Sequence, residues 1–138
     1  MSELERVSFS LEKPLLAKLE RLVRDSRYTN RSEFIRDLIR AKLVEGEWER
    51  DEEAIGTVTL LYDHHVRGLS DRLTHLQHHH HSNVLAATHV HLTHDLCAEV
   101  IMIRGRAHLI REMANAMGRE KGVLHASLSL SSTGKRLA

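Results

Sequence analysis

The sequence predicts an α+β protein in two modules. One strand and two helices occupy residues 1–48, and the order β-α-β-β-α-β fills residues 54–138. Three observations carry this. Polar and apolar residues alternate over Arg6–Leu11, as in a half-buried strand. Apolar residues then recur twice at helical spacing before residue 44. Beyond a charge-dense join, four β-rich segments are interleaved with two further helical stripes. That second order is the split βαβ, ferredoxin-like arrangement, which lays both helices on one face of a four-stranded antiparallel sheet.

Composition bounds the rest. The chain has 138 residues, enough for one ordinary domain or two small ones. Hydrophobic residues make up 41% but aromatics only 4%, so the core must be aliphatic. A single cysteine forbids an internal disulfide. A free thiol is best kept in a reducing compartment, and no apolar run has the length of a membrane helix. A soluble, cytoplasmic protein that does not meet a membrane is expected. Net charge is only +1. Residues 1–43 nevertheless hold ten Lys or Arg against seven Asp or Glu, whereas all twelve histidines lie at or after His64. The two modules therefore carry different chemistry.

In the first module the strand gives way to a helix with Pro14 in its first turn, where proline is tolerated. Leu15, Leu16, Leu19, Leu22 and Val23 form its apolar stripe. Asn30 is placed to cap a second helix, with Glu33 three residues on as its capping-box partner. Phe34, Ile35, Leu38, Ile39 and Leu43 share one face of that helix. A lone strand leaves its backbone groups unpaired, and so small a unit buries too little surface to stand alone. A symmetric dimer, with two copies of the strand paired antiparallel, repairs both faults. Such a ribbon fits the major groove of double-stranded DNA, with Arg6, Ser8 and Ser10 facing the bases. Backbone amides near Asn30, Arg31 and Ser32 are placed to meet phosphate.

Residues 45–53 are dense in charge and mark the join, where Trp48 is expected to pack. In the second module Ile55–Tyr62 reads as a strand. Val66, Leu69, Leu73 and Leu76 have helical spacing. Val84–Leu92 and Leu96–Ile103 read as a hairpin, closed by Gly105. Ala107–Gly118 is helical and Val123–Leu130 alternates again. The expected face assignment puts Val90, Leu92, Val100 and Met102 against the helices. It leaves His89, His91 and Cys97 on the helix-free face with Leu85, Ala87, Ile101 and Ile103, to be covered by a second copy of the sheet.

The chemistry concentrates in residues 78–97. Four histidines, His78 to His81, precede the hairpin. His89 and His91 lie two apart and share one sheet face. With the turn centred on His94, Cys97 falls opposite His91 and Glu99 opposite His89. Opposed residues have Cβ atoms roughly 4.5–5.5 Å apart, so two imidazoles and a thiol converge. Such a donor set suits nickel, copper or zinc and suits calcium or magnesium badly. The fourth donor is one of His78 to His81, from this chain or another. Taken singly, these residues are unremarkable, since a lone cysteine is most often a small buried hydrophobe.

The pieces R-V-S-F-S-L and T-N-R-S-E-F-I-R-D-L-I-R resemble the ribbon-helix-helix family. With Q-H-H-H-H and A-A-T-H-V-H-L-T-H-D-L-C-A-E, nearly the whole chain resembles the NikR family of nickel-responsive repressors. The resemblance implies a ribbon-helix-helix domain and a ferredoxin-like, ACT-type metal-sensing domain. It implies a homotetramer, a dimer of dimers, that binds an operator with two half-sites and represses nickel uptake. It implies one Ni2+ per subunit, held by His89, His91 and Cys97 of one subunit and His78 of another. Glu99, His64 and Tyr62 then support that site from behind, and Glu33 and Asp37 match carboxylates that hold an interdomain cation in some members. An enzyme is not expected, for want of a substrate-pocket signal. An antitoxin with a ribbon-helix-helix module and a metal-buffering protein are the competing readings.

Overall fold

The computed structural model describes residues 3–138. Its element order is α1 (Lys13–Asp25), α2 (Arg31–Glu49), β1 (Glu53–Asp63), α3 (Leu69–His79), β2 (Val84–His91), β3 (Leu96–Arg106), α4 (Ala107–Gly118) and β4 (Val123–Ser132). The chain divides into two compact units, residues up to Leu43 with Arg136–Ala138, and Val44–Lys135. The division falls within α2, because the charge-dense join continues that helix to Glu49.

In the first unit α1 starts with Pro14 in its first turn. Asn30 caps α2, its Oδ1 accepting from the Glu33 N–H at 2.9 Å. The reciprocal half of the capping box is replaced: the Glu33 carboxylate accepts from Thr29 Oγ1 at 2.9 Å. Val23 and Phe34 are buried, and Tyr28 meets Phe34 edge-on. The strand expected over Arg6–Leu11 forms no ladder in one chain, because a ladder needs a second strand and the described residues of this unit supply none. Val7 and Phe9 stand 81% and 59% exposed.

The second unit is a four-stranded sheet in the order β2-β3-β1-β4, antiparallel throughout. Its core is aliphatic, as the scarcity of aromatics requires: Val58, Leu60, Leu69, Leu73, Ile101, Ile103, Ile110 and Met117 are buried. Each such side chain withdrawn from water contributes about 1.5–3 kcal/mol before entropy is subtracted. Trp48 is buried and donates its indole N–H to the Ser131 carbonyl at 2.8 Å, while the Arg111 guanidinium lies over its ring. Asp51 accepts from the backbone N–H and the ring of His108, so a residue far away in sequence caps α4. Those bonds hold the Asp51 carboxyl below its ordinary value. Gly105 does not end the hairpin; β3 runs on to Arg106, with Gly105 opposite Ala54 on β1.

The faces of the sheet are the reverse of the expectation. Cys97, Ile101 and Ile103 of β3, with Val58, Leu60 and Tyr62 of β1, are buried in the same core as α3 and α4. Val90, Leu92, Val100 and Met102 lie on the other face and are exposed. The donors therefore belong to the helix side. Alternation separates two faces but does not say which one the helices cover when both are apolar.

Candidate metal centre

The hairpin has the expected register: His91 pairs with Cys97 and His89 with Glu99. β2 is the edge strand, so α3 and α4 cover its neighbours and leave its imidazoles open. Tyr62 on β1 lies opposite Cys97 from the other side. The pairing β2-β3-β1 thus lines up His91, Cys97 and Tyr62 across three strands.

Cys97 is fully buried. Its Sγ lies 3.3 Å from His91 Nδ1 and 3.6 Å from His64 Nδ1. Among the described residues, His64, His91 and Cys97 form one group whose donor atoms lie within 4.8 Å of one another. His64 comes from the turn that follows β1, and its ring meets that of His91 edge-on at 5.0 Å. His89 shares the face, its ring 5.1 Å from that of His91, but its Nδ1 is hydrogen-bonded to the Tyr62 hydroxyl at 2.9 Å. The structure therefore brings together His91, Cys97 and His64, with His89 turned aside onto Tyr62. His78 sits in the last turn of α3 and is not in the group. The residue before it, Gln77, donates to Glu99 Oε1 at 2.9 Å and ties α3 to the strand that carries Cys97.

Electrostatics follow from burial. Burial pushes the Cys97 thiol up, so without an ion the sulfur keeps its proton. Burial, then the nearby Glu99 and Cys97, pushes the Tyr62 phenol up to about 12. Tyr62 is thus a neutral partner for His89 at any ordinary pH. One sulfur and two imidazoles, with the His89 ring beside them, suit a late transition metal, which would take the place of the thiol proton on binding.

In the first unit Arg6, Ser8 and Ser10 are exposed, as are Asn30, Arg31 and Ser32. Ser8, Arg31 and Ser32 line one pocket of about 360 Å3 with Phe9 and Leu11. Asp37 accepts from the Tyr28 hydroxyl at 2.6 Å, and Arg40 lies 3.5 Å from its other oxygen. With Glu33 held by Thr29, both carboxylates proposed for a cation have neighbours within their own unit. Gln77 and a second donor group, His65, His94 and Asp95, escaped the sequence reading. The doublet His64-His65 and the turn His94-Asp95 carried the signal, but only the β1–β3 pairing places those two turns at one end of the sheet.

A helix pair preceded by an exposed alternating segment, followed by a split βαβ domain that gathers a thiol and imidazoles, defines a class: regulators built from a ribbon-helix-helix and a metal-binding domain. Residues 5–46 match the ribbon-helix-helix protein family of the copG type, and residues 55–131 match the NikR C-terminal nickel-binding domain. The chain belongs to the NikR family, which consists of ribbon-helix-helix transcriptional regulators rather than enzymes. It is 49% identical over 138 residues to a protein of Geobacter sulfurreducens named as a nickel-responsive regulator, covering 99% of each chain. A protein of the same name from Solibacter usitatus is 46% identical over 138 residues, again covering 99% of each. In fold alone the chain is similar to the uncharacterized protein TM1266 of Thermotoga maritima, with a TM-score of 0.52 and 11% identity, covering 57% of this chain and 98% of that one. Among the described residues, no helix is long and apolar enough to cross a membrane.

Proposed function

We propose that this chain is a nickel-dependent DNA-binding repressor of nickel uptake. One observation supports the reading above others: a buried thiol stands within reach of one imidazole at the end of β2 and another in the turn after β1. His89, His91 and Cys97 hold the ion, with His78 of a second copy as the fourth donor. His64 is the donor that approaches Cys97 in a lone chain, and it yields its place when His78 arrives. Glu99, fixed by Gln77, links the donor strand to the helix that presents His78.

The first unit supports the DNA half of the reading. Val7, Phe9, Leu22, Leu38 and Ile39 are all more than half exposed in one chain, far more apolar surface than a lone unit of this size should leave bare. A second copy, pairing Arg6–Leu11 as a two-stranded ribbon, covers it. Arg6, Ser8 and Ser10 then read base edges, while Asn30, Arg31 and Ser32 meet phosphates. Two such dimers, joined through the metal-binding domains, engage two half-sites. An ion held between copies shifts this equilibrium only by binding one arrangement more tightly than the other.

The test is binding to a duplex that the nickel-loaded protein has selected from a random library, followed by fluorescence anisotropy. Wild-type protein should bind only with nickel, and Cys97→Ala should lose that dependence. His89→Ala and His78→Ala should behave like Cys97→Ala, whereas His64→Ala should keep most of the response. Equal binding with and without nickel would reject the reading.

A further inference from the structure

We infer that β4 takes an extended acidic segment of a partner protein as an added strand, in the groove between its free edge and α4. β4 ends the sheet order β2-β3-β1-β4 and is ten residues long. Its sequence, V-L-H-A-S-L-S-L-S-S, holds no Lys, Arg, Asp, Glu or Pro. Those are the residues that normally blunt an edge strand against further pairing.

The ladder decides which backbone groups are free. The Ala107 N–H donates to the Glu52 carbonyl across to β3, and the Asp63 N–H donates to the Gly122 carbonyl on the other side. Odd-numbered residues of β1 therefore bond toward β4. Their partners are His125, Ser127, Ser129 and Ser131. Ala126, Leu128 and Leu130 alternate with these and turn their N–H and C=O groups outward. Among the described residues, no bond outside the ladder takes those groups.

A groove of about 720 Å3 runs along this edge. Ala126 and Leu128 line one wall. Arg111, Asn115 and Arg119 line the other, exposed and four residues apart on one stripe of α4. The Arg111 guanidinium rests on the Trp48 ring. Among the described residues neither arginine has a carboxylate partner, whereas Arg50, Arg72, Arg104 and Arg106 each do.

Spacing and charge select the occupant. Eight residues of helix rise about 12 Å. An extended chain advances about 3.3 Å per residue, so same-face residues four apart stand about 13 Å apart. Two carboxylates at that separation meet the two guanidiniums, and the residue midway between them faces Asn115. A second copy of this edge suits the groove badly. Pairing β4 with itself about a two-fold axis would bring the arginine pairs of both copies together, and like charges repel. The metal centre plays no part in this contact.

Fluorescence anisotropy with the full chain tests it, using the labelled peptide S-T-E-V-N-V-E-T-S. This peptide should bind saturably. Shifting the second glutamate, as in S-T-E-V-N-E-V-T-S, puts the carboxylates on opposite faces and should weaken binding at least tenfold. N-methylation of one alternate set of amides should do the same, and of the other set should not. Arg119→Glu should abolish binding, as should Arg111→Glu with Arg119→Glu. Thermal melting establishes folding, and Arg119→Glu alone leaves the Trp48 stack in place. Leu130→Pro removes one outward N–H without breaking the ladder to β1 and should also weaken binding. The added strand is ruled out if the first peptide does not bind, if both glutamate spacings bind alike, or if Arg119→Glu binds as wild type does. A chain-to-chain association that Leu130→Pro dissolves, and that the peptide does not displace, would give the edge to a second copy and overturn the acidic partner.

Discussion

Cys97 stands under two opposing influences. The core around it disfavours a charged sulfur and holds the thiol proton on to a higher pH than usual. The imidazoles of His91 and His64, at 3.3 and 3.6 Å, offer company for an ion that favours the thiolate. Metal binding must therefore expel a proton, and the sign follows. The thiol form persists up to its raised pKa, so nickel affinity increases with pH throughout the range below it. One proton released corresponds to about a tenfold gain in affinity per pH unit. Chelator competition across that range should show this slope in wild type and a flatter one in Cys97→Ser, whose hydroxyl stays protonated throughout. A wild-type affinity that does not vary with pH would remove the sulfur from the ligand set.

At the scale of elements, β1 governs the sheet, since it pairs with β3 on one side and β4 on the other and bears the buried Val58, Leu60 and Tyr62. Gly56 is what lets α4 lie close to it. A methyl group there would meet Ile110 Cγ2 at 2.6 Å and Leu128 Cδ1 at 3.0 Å. Gly56→Ala should destabilise the second unit by about 1–3 kcal/mol, the usual cost of overpacking. Urea unfolding checks it, and an unchanged midpoint would contradict the packing of α4 on β1. The same strand explains what the sequence disclosed and what it hid. The strand and helix order of the second unit, the two helices of the first, the start of α1 at Pro14, the Asn30 cap and the His91–Cys97 register were all legible, because each rests on local spacing or turn chemistry. The choice of covered face was not, because Val90, Leu92, Val100 and Met102 are as apolar as Ile101 and Ile103. Only the packing of Cys97, Ile101 and Ile103 in one core with Leu69 and Leu73 of α3 and Ile110 and Met117 of α4 decides it. His64 entered the sequence reading only through the family resemblance, since its approach to Cys97 depends on a turn that spacing does not describe.

For the whole molecule, the reversed face changes where association is expected. Val90 and Leu92 are 48% and 55% exposed, and with Val100 and Met102 they leave an apolar sheet face bare in one chain. Val7, Phe9, Leu38 and Ile39 form a second bare patch on the other unit. Contiguous apolar surface of this kind is normally covered. Each patch paired with its own copy would give a two-fold contact, and two such contacts with crossing axes would join four chains, the assembly proposed above. The contacts are separable by mutation. Val100→Lys with Met102→Glu places charge in the sheet contact alone and should reduce four chains to two in sedimentation velocity. Phe9→Ser with Ile39→Glu should also leave two chains, now joined through the sheets, and should abolish DNA binding because the ribbon no longer pairs. Nickel should still bind the second variant wherever its fourth donor comes from the surviving contact, so the same pair of variants tells which contact brings His78 to Cys97. A wild-type protein that sediments as a single chain at micromolar concentration would refute both contacts and, with them, an ion shared between copies.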